Sequence, residues 1–366
     1  MHPIKKITSA NLDLLRAVAV SCVYFGHLVS TIGNPSFLSL ARFGVLIFFV
    51  HTSLVLMESL DRLDPTAGSN SRLFGGFWVR RIFRIYPLAM LTVVLVVLFH
   101  VPYIPGQVYG WIGAKAFLSN LFLVQNLTLT TDIIGPLWSL PLEVQMYILL
   151  PFAYLAIRGR RYRSLFLWVL SVILAMTLPR LSPRLNVFYF APCFTSGIVA
   201  YDLVRSRLGR WKLPSWTWPL GICIFILLFG PHDNELFSSK FHRAWATSLL
   251  LGILYANVRE LPAGVIQRLT HWIAEHSYGI YLSHMIIMWV AVDRMHAKPL
   301  WFRVLFLVTT SIAVPALLYV SIEKPFILIG QHVARGLLRT RPKDSATSVV
   351  LPVLAPDSRF DLPDSQ

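Results

Sequence analysis

Apolar stretches of about 16 to 23 residues recur along the chain, and short polar segments separate them. A transmembrane helix needs about 20 mainly apolar residues, so each stretch is a candidate span. The pattern predicts an all-α integral membrane protein with about ten transmembrane helices. The predicted spans cover residues 12–31, 40–58, 86–101, 137–157, 164–179, 187–204, 215–230, 243–257, 277–293 and 300–322.

The stretch 114–130 is apolar but short, and three amide side chains interrupt it. If it were counted as a span, the topology of the rest of the chain would be inverted. The basic loops 158–163 and 205–212 would then lie outside, whereas basic loops are normally retained in the cytoplasm. We therefore interpret the stretch as a re-entrant or interfacial helix. This interpretation places the N- and C-termini in the cytoplasm.

The composition agrees with a membrane protein, because 55% of the 366 residues are hydrophobic and only 14% are charged. Soluble domains carry about 25% charged residues. The net charge of +16 could indicate a nucleic-acid partner, but the basic residues cluster in short loops between spans. That distribution is typical of membrane orientation, so we expect the lipid bilayer and not a nucleic acid as the partner.

The chain divides into two predicted regions. Residues 1–330 form a membrane-embedded domain. Residues 331–366 form a cytoplasmic tail, and the part after Arg339 is rich in Pro and Ser and is expected to be largely disordered.

Ionisable residues inside the first span predict a functional site, because such groups are costly in hydrocarbon. Arg16 and His27 are eleven residues apart, which is about three helical turns, so they project from nearly the same face about 16 Å apart. The same stripe includes Asp13, Val20 and Tyr24. An alternative interpretation is an arginine that extends to the headgroups and a histidine that is hydrogen-bonded within the helical bundle.

Two further groups are candidates for chemistry. Arg80, Arg81 and Arg84 lie close together where the third span is predicted to begin, and guanidinium groups and helix N-termini both bind phosphates. Glu143 lies about two turns inside the fourth span, where a carboxylate needs a partner such as Arg16, His27 or a substrate hydroxyl. The alternatives are membrane anchoring for the arginines and a structural ion pair for the glutamate.

Other polar residues in the spans give weaker signals, because hydroxyl and aromatic side chains often serve only helix packing. They are His51, Thr52 and Ser53 in the second span and Tyr278, Tyr281, Ser283 and His284 in the ninth, whereas Gln145 lies beside Glu143 in the fourth. The segment IEKPF at 322–326 is most simply a signal that ends the last helix.

The order of these segments resembles the acyltransferase 3 family. The resemblance rests on LDLLRAVAVSCVYFGH, GVLIFFVHTS, RRIFRIYP, LWSLPLEVQMYILLP, HSYGIYLSH and IEKPF, which follow one another from residue 12 to about 330. It implies a ten-span enzyme, in a bacterial inner membrane, that transfers an acyl group from cytosolic acyl-CoA to a hydroxyl. The acyl group is usually acetyl, and the acceptor is often a surface polysaccharide or another carbohydrate or glycolipid.

By this resemblance, Arg16 and His27 match the essential pair of the family, Arg80, Arg81 and Arg84 match its acyl-CoA arginines, and Glu143 matches its fourth-span acid. The expected roles are general base for His27, charge stabilisation near the thioester for Arg16, and orientation of the base or acceptor for Glu143. An acyl-histidine intermediate is an alternative to direct transfer, and no metal is expected. The second-span motif departs from the family at Leu46, Thr52 and Ser53.

A transporter or flippase of a glycan or lipid-linked substrate is the rival function, because it would share the spans and the buried charges. Such proteins usually show internal repeats and interrupted helices around a site in the middle of the membrane. We find no internal repeat in this sequence. An acyltransferase is therefore favoured.

Overall fold

The computed structural model describes residues 9–102, 113–159, 163–206, 212–229 and 241–338. These ranges fold into thirteen α-helices, joined by short 3-10 and π-helical turns. The helices are α1 (Ala10–Thr31), α2 (Leu38–Ala67), α3 (Asn70–Phe99), α4 (Gly113–Leu121), α5 (Gln125–Thr128), α6 (Leu140–Ile157), α7 (Arg163–Leu181), α8 (Val187–Arg205), α9 (Thr217–Phe229), α10 (Phe241–Ala256), α11 (Val265–Trp289), α12 (Leu300–Leu318) and α13 (Lys324–Leu338).

The predicted all-helical membrane architecture is confirmed in its main features. Seven helical segments are long and apolar enough to cross a membrane. They contain α1, α2, α3, α6, α7, α8 and the continuous run from α12 to α13. The other three predicted spans coincide with α9, α10 and α11. The count of ten spans and the side on which the termini lie stay predictions.

Polar contacts bring several helix ends together at one end of the molecule, which we call the inner end. Arg158 after α6 pairs with Asp64 at 3.0 Å, and Arg205 at the end of α8 pairs with Asp61. Both carboxylates lie in the last part of α2. The ends of α2, α6 and α8 therefore face the same side, as the topology with cytoplasmic loops at 158–163 and 205–212 requires. Residues 160–162 and 207–211 of those loops lie outside the described residues.

The ambiguous stretch 114–130 forms α4 and α5, which have nine and four residues and are too short to cross a bilayer. Amide side chains within the stretch form hydrogen bonds to neighbouring segments. Asn120 binds the carbonyl oxygen of Thr131, and Asn126 accepts a hydrogen bond from Gln145 of α6. Because α3 leaves the inner end and α6 returns to it, no extra crossing is needed between them.

Close helix crossings at small residues hold the core together. A Cβ atom added to Gly44 of α2 would lie 2.5 Å from the carbonyl oxygen of Ala19 in α1. One added to Gly197 of α8 would overlap the Ser53 hydroxyl oxygen of α2. Small residues permit such close approach between membrane helices, where packing contacts drive association. The helix α2 is therefore enclosed by its neighbours on several faces.

Two helix boundaries differ from the sequence-based prediction. The second helix runs on to Ala67 and the third begins at Asn70, so the polar segment between them is a two-residue break and not a long loop. The segment 322–326 does not end the last helix, because a π-helical turn at Tyr319–Glu323 leads directly into α13. The predicted domain boundary at residue 330 falls inside α13, and the tail beyond 338 lies outside the described residues.

The topology predicts the accessibility of position 160. In a variant without its native cysteines, a cysteine placed at position 160 should resist a membrane-impermeant thiol reagent added to intact cells, because basic loops stay in the cytoplasm. A cysteine at Asn34, in the turn at the opposite end of α1, is the matched control and should be labelled. Labelling at 160 without permeabilisation would contradict the predicted orientation.

The crossing of α8 over α2 predicts that Gly197→Ala destabilises the protein. The added methyl group has no space beside Ser53, and overpacking typically costs about 1–3 kcal/mol. The midpoint of thermal unfolding in detergent should fall by several degrees, roughly as expected for a loss of that size. Gly336→Ala in α13 is the control, because a Cβ atom added there would have no neighbouring atom within 4 Å. Equal midpoints for the two variants would contradict the packing argument.

Candidate active site

The polar stripe of α1 faces α11 and α12, and each of its polar members meets a polar side chain there. This confirms that the predicted residues share one face of the helix. The Nε atom of Arg16 donates to the Ser277 hydroxyl at 2.7 Å, and the rings of His27 and His284 lie 5.2 Å apart between centroids. The other two pairs are Asp13 with His271 and Tyr24 with Ser311.

A cavity of about 60 Å³, which we call the Arg16 cavity, lies where α1, α2, α6 and α11 meet. Its polar lining includes Arg16, Thr52, Glu143 and Tyr278. Among the residues that the structure describes, no carboxylate is within ion-pair distance of Arg16. The cavity therefore offers a half-buried guanidinium with no carboxylate of the described residues paired to it, which suits an anionic or polarised ligand group.

Glu143 is held by hydrogen bonds to two hydroxyl groups. Tyr147, one turn further along α6, donates to its Oε1 atom at 2.5 Å, and Thr52 of α2 donates to the same atom at 3.3 Å. Glu143 shares the Arg16 cavity but does not line the cavity at His27. The structure thus brings Glu143 together with Arg16 and not with His27. Thr52, one of the departures from the family motif, contacts this acid.

A second and larger cavity, of about 180 Å³, contains His27 and is called the His27 cavity. Arg42, Trp138 and Tyr281 also line it. An aromatic face, a cation and an imidazole in one concave site are suited to a polar ligand that also has an apolar face. The position of His27 in the last part of α1 places this cavity toward the end of the helix opposite to the inner end.

The two cavities adjoin, because Val45 and Tyr281 line both of them. The Tyr281 hydroxyl is fixed in place, since it donates to the Pro136 carbonyl oxygen and bonds to the Ser139 hydroxyl, each at 2.7 Å. A group held near Tyr281 would therefore have Arg16 and Glu143 on one side and His27 on the other. We call this place the junction.

The three arginines of the cluster lie inside α3 and not at its beginning, so the predicted helix N-terminal contribution is wrong. The helix starts at Asn70, ten residues before Arg80. Arg80 and Arg81 each have a buried Nε atom that finds no hydrogen-bond partner among the described residues. Arg84 instead pairs with Glu323 at 3.4 Å, and the Glu323 side chain is fully buried. Only part of the cluster is therefore available to a ligand.

Sequence reasoning missed Glu323, because it treated the segment around it as a helix stop. A signal was present, since Glu323 is an ionisable residue that follows an apolar span, and the rule that singled out Glu143 applies to it as well. Its partner could not be read from the sequence, because Arg84 lies more than 200 positions away. Its two carboxylate oxygens have no hydrogen bond within the described part of the chain.

The other polar residues of the spans differ in whether they reach the two cavities. Gln145 points away from both cavities and binds Asn126. His51 is buried but lines neither cavity, and Ser53 donates to backbone carbonyls of its own helix. Tyr281 and His284 were weak candidates by sequence, yet Tyr281 lines both cavities and His284 contacts the His27 ring.

The sequence is similar to a family of acyltransferases and to several individual proteins. The acyltransferase 3 family model, described as an acyltransferase domain, matches residues 9–320. The provisionally named peptidoglycan O-acetyltransferase YrhL of Bacillus subtilis is 29% identical over 380 residues, covering 93% of this chain and 58% of the relative. The peptidoglycan O-acetyltransferase OatA of Listeria monocytogenes is 24% identical over 354 residues, covering 86% of this chain and 55% of the relative. Nodulation protein 10 of Rhizobium leguminosarum is 25% identical over 362 residues, covering 86% of this chain and 92% of the relative.

The chain thus spans little more than half the length of the two peptidoglycan O-acetyltransferases that it matches. No solved structure matches it. The family match, in contrast, extends from the start of α1 into the π-helical turn after α12, and so includes every element that forms the two cavities. The chain therefore belongs to the acyltransferase 3 family.

Proposed function

We propose that the protein is a membrane-bound O-acyltransferase that moves an acetyl group from cytosolic acetyl-CoA to a hydroxyl of a carbohydrate acceptor. The observation that carries this proposal is the pair of adjoining cavities, one lined by the Arg16 guanidinium and the Glu143 carboxylate and the other by the His27 imidazole. Two substrates can meet at the junction from opposite sides of the molecule. The bacterial inner membrane is the proposed location.

The donor enters from the inner end in this proposal. Arg81 interacts electrostatically with Glu143 and Tyr147, and Glu143 lines the Arg16 cavity. Guanidinium groups form strong, charge-assisted hydrogen bonds with phosphate oxygens. Arg80 and Arg81 would hold phosphates of coenzyme A, and the pantetheine arm would carry the thioester toward the junction. Arg16 would then stabilise negative charge on the thioester oxygen as the acceptor attacks.

The acceptor enters from the opposite end, through the His27 cavity. Trp138 offers an aromatic face for a sugar ring, and Arg42 offers a cation for an acidic or hydroxyl-bearing substituent. The relatives named as peptidoglycan O-acetyltransferases point to a carbohydrate polymer as the acceptor class. A cavity of about 180 Å³ accommodates one end of such a molecule and not the whole polymer.

The chemistry requires a base at the acceptor hydroxyl. His27 would take the hydroxyl proton while the oxygen attacks the acyl carbon, and the proton would then pass to the departing thiolate of coenzyme A. The ester forms as the thioester breaks, and the base is regenerated. An imidazole is suited to both steps, because its ordinary pKa is near neutrality. Glu143 is held by hydrogen bonds from Tyr147 and Thr52, and its negative charge would partly offset the positive charge of Arg16.

The role of His27 predicts the behaviour of two substitutions. His27→Ala and His27→Gln should each lower the rate of acetyl transfer by about a hundredfold to ten-thousandfold, because neither side chain can accept the proton. The rate is measured as release of coenzyme A in membranes that contain equal amounts of inserted protein. His51→Gln is the matched control, since His51 is buried but lines neither cavity. Full activity of His27→Gln would rule out His27 as the base.

The arginine cluster predicts a donor-specific effect. Arg81→Gln should raise the KM for acetyl-CoA by about tenfold to a hundredfold, because a charge-assisted phosphate contact is lost, and should leave the KM for the acceptor unchanged. Arg72→Gln is the control, since Arg72 is exposed at the start of the same helix. Arg84 is unsuitable for this test, because its removal would leave Glu323 buried and unpaired. An unchanged KM for acetyl-CoA in Arg81→Gln would refute the predicted donor site.

A further inference from the structure

His284 of α11 is a buried imidazole whose tautomer is set by the backbone. Its side chain is almost fully enclosed, and its Nδ1 atom lies 2.7 Å from the carbonyl oxygen of Tyr281 and 3.2 Å from that of Ile280. A carbonyl oxygen can only accept a hydrogen bond, so Nδ1 must carry the hydrogen. In the neutral ring, Nε2 is then an acceptor with a free lone pair.

That Nε2 atom has no hydrogen-bond partner within the described residues, although it is buried. A buried acceptor that is left unpaired typically costs free energy comparable to a lost hydrogen bond, so such an atom in a native structure requires an explanation, and a catalytic role is one of the known ones. His284 belongs neither to the lining of the Arg16 cavity nor to that of the His27 cavity. A direct contact with substrate therefore does not explain the free acceptor.

Three side chains with rings surround His284, namely Tyr24, His27 and Tyr281. The Tyr281 hydroxyl already donates to the Pro136 carbonyl oxygen, and the Tyr24 hydroxyl is bonded to Ser311. The His27 ring is the nearest, at 5.2 Å between centroids. Within the described residues, His27 is hydrogen-bonded only through its backbone, so its ring N–H has no protein acceptor there.

We propose that His284 is a positioning residue for His27, whose ring N–H donates to Nε2 of His284 when the acceptor is bound. This inference rests on the proposed function of His27 as the base. The proposal requires the His27 ring to turn so that its N–H points at Nε2 of His284, across the present 5.2 Å between centroids. The hydrogen bond fixes the tautomer of His27, so that its other ring nitrogen is bare and faces the His27 cavity.

The proton balance follows from this arrangement. The bare nitrogen of His27 takes the proton of the acceptor hydroxyl, and the oxygen forms the new ester bond as the carbon–sulfur bond breaks. The imidazolium that forms keeps its N–H donated to His284, and the proton from the acceptor then passes to the thiolate. His284 remains neutral throughout, and it acts by orienting His27 and by stabilising the charge on it.

A matched pair of substitutions tests the role of His284. Methionine and glutamine have similar length and shape, but only glutamine offers an oxygen acceptor near the position of Nε2. His284→Met should lower kcat by about tenfold to a hundredfold, with the KM values for acetyl-CoA and acceptor within about twofold of the wild type. His284→Gln should retain kcat within about threefold, because the acceptor is restored. Both are assayed in membranes with equal amounts of inserted protein.

Wild-type kcat in His284→Met would overturn the proposal, and so would an equal loss of kcat in both variants, which indicates a packing role. A measurement on the unsubstituted protein decides the same question if the methionine variant does not insert. With 15N-labelled histidine and bound acceptor, solid-state NMR should detect a hydrogen bond between the two rings, and its absence would overturn the proposal. Activity of His27→Gln is a separate result, because it refutes the base assignment itself.

Discussion

The polar face of α1 can exist in an apolar layer only because α11 and α12 provide a polar partner for each of its polar residues. Arg16 meets Ser277, and His27 meets His284. Unpaired polar groups are expensive in hydrocarbon, so these contacts restrict how α1 and α11 can be rotated and shifted against each other. The same restriction opens the two cavities, since Tyr281 of α11 is held between Arg16 and His27. Stability and the candidate site therefore depend on one helix interface.

The second helix supplies the other wall of both cavities. Glycines bring α1 and α8 into close contact with it, so α2 has little freedom to move along or around its axis. Val45 and Thr52 are consequently presented to the site at fixed positions, and Thr52 reaches Glu143. The departure from the family motif at this position is thus compatible with an intact acid, because the threonine hydroxyl serves as its donor.

The arginines of α3 divide into two roles that their spacing did not reveal. Arg84 is committed to Glu323, and a pair of this kind must be kept together, because removal of one partner leaves an uncompensated buried charge. Arg80 and Arg81 keep buried Nε atoms without a hydrogen-bond partner among the residues described. Of these two, Arg81 interacts electrostatically with Glu143, which lines the Arg16 cavity. Glu323 is the last residue of the π-helical turn at Tyr319–Glu323.

The sequence by itself determined the helical membrane class, the positions of the main apolar helices and the shared face of Arg16 and His27, because these follow from hydropathy and from the helical repeat within single segments. It also identified Glu143 as an acid inside an apolar span. Only the tertiary structure decided that Glu143 accompanies Arg16 and not His27, that Arg84 pairs with Glu323, and that His284 contacts His27. The physical reason is that the helical repeat determines which side chains share a face of one helix. Which side chains of two distant helices meet depends on how those helices pack against each other.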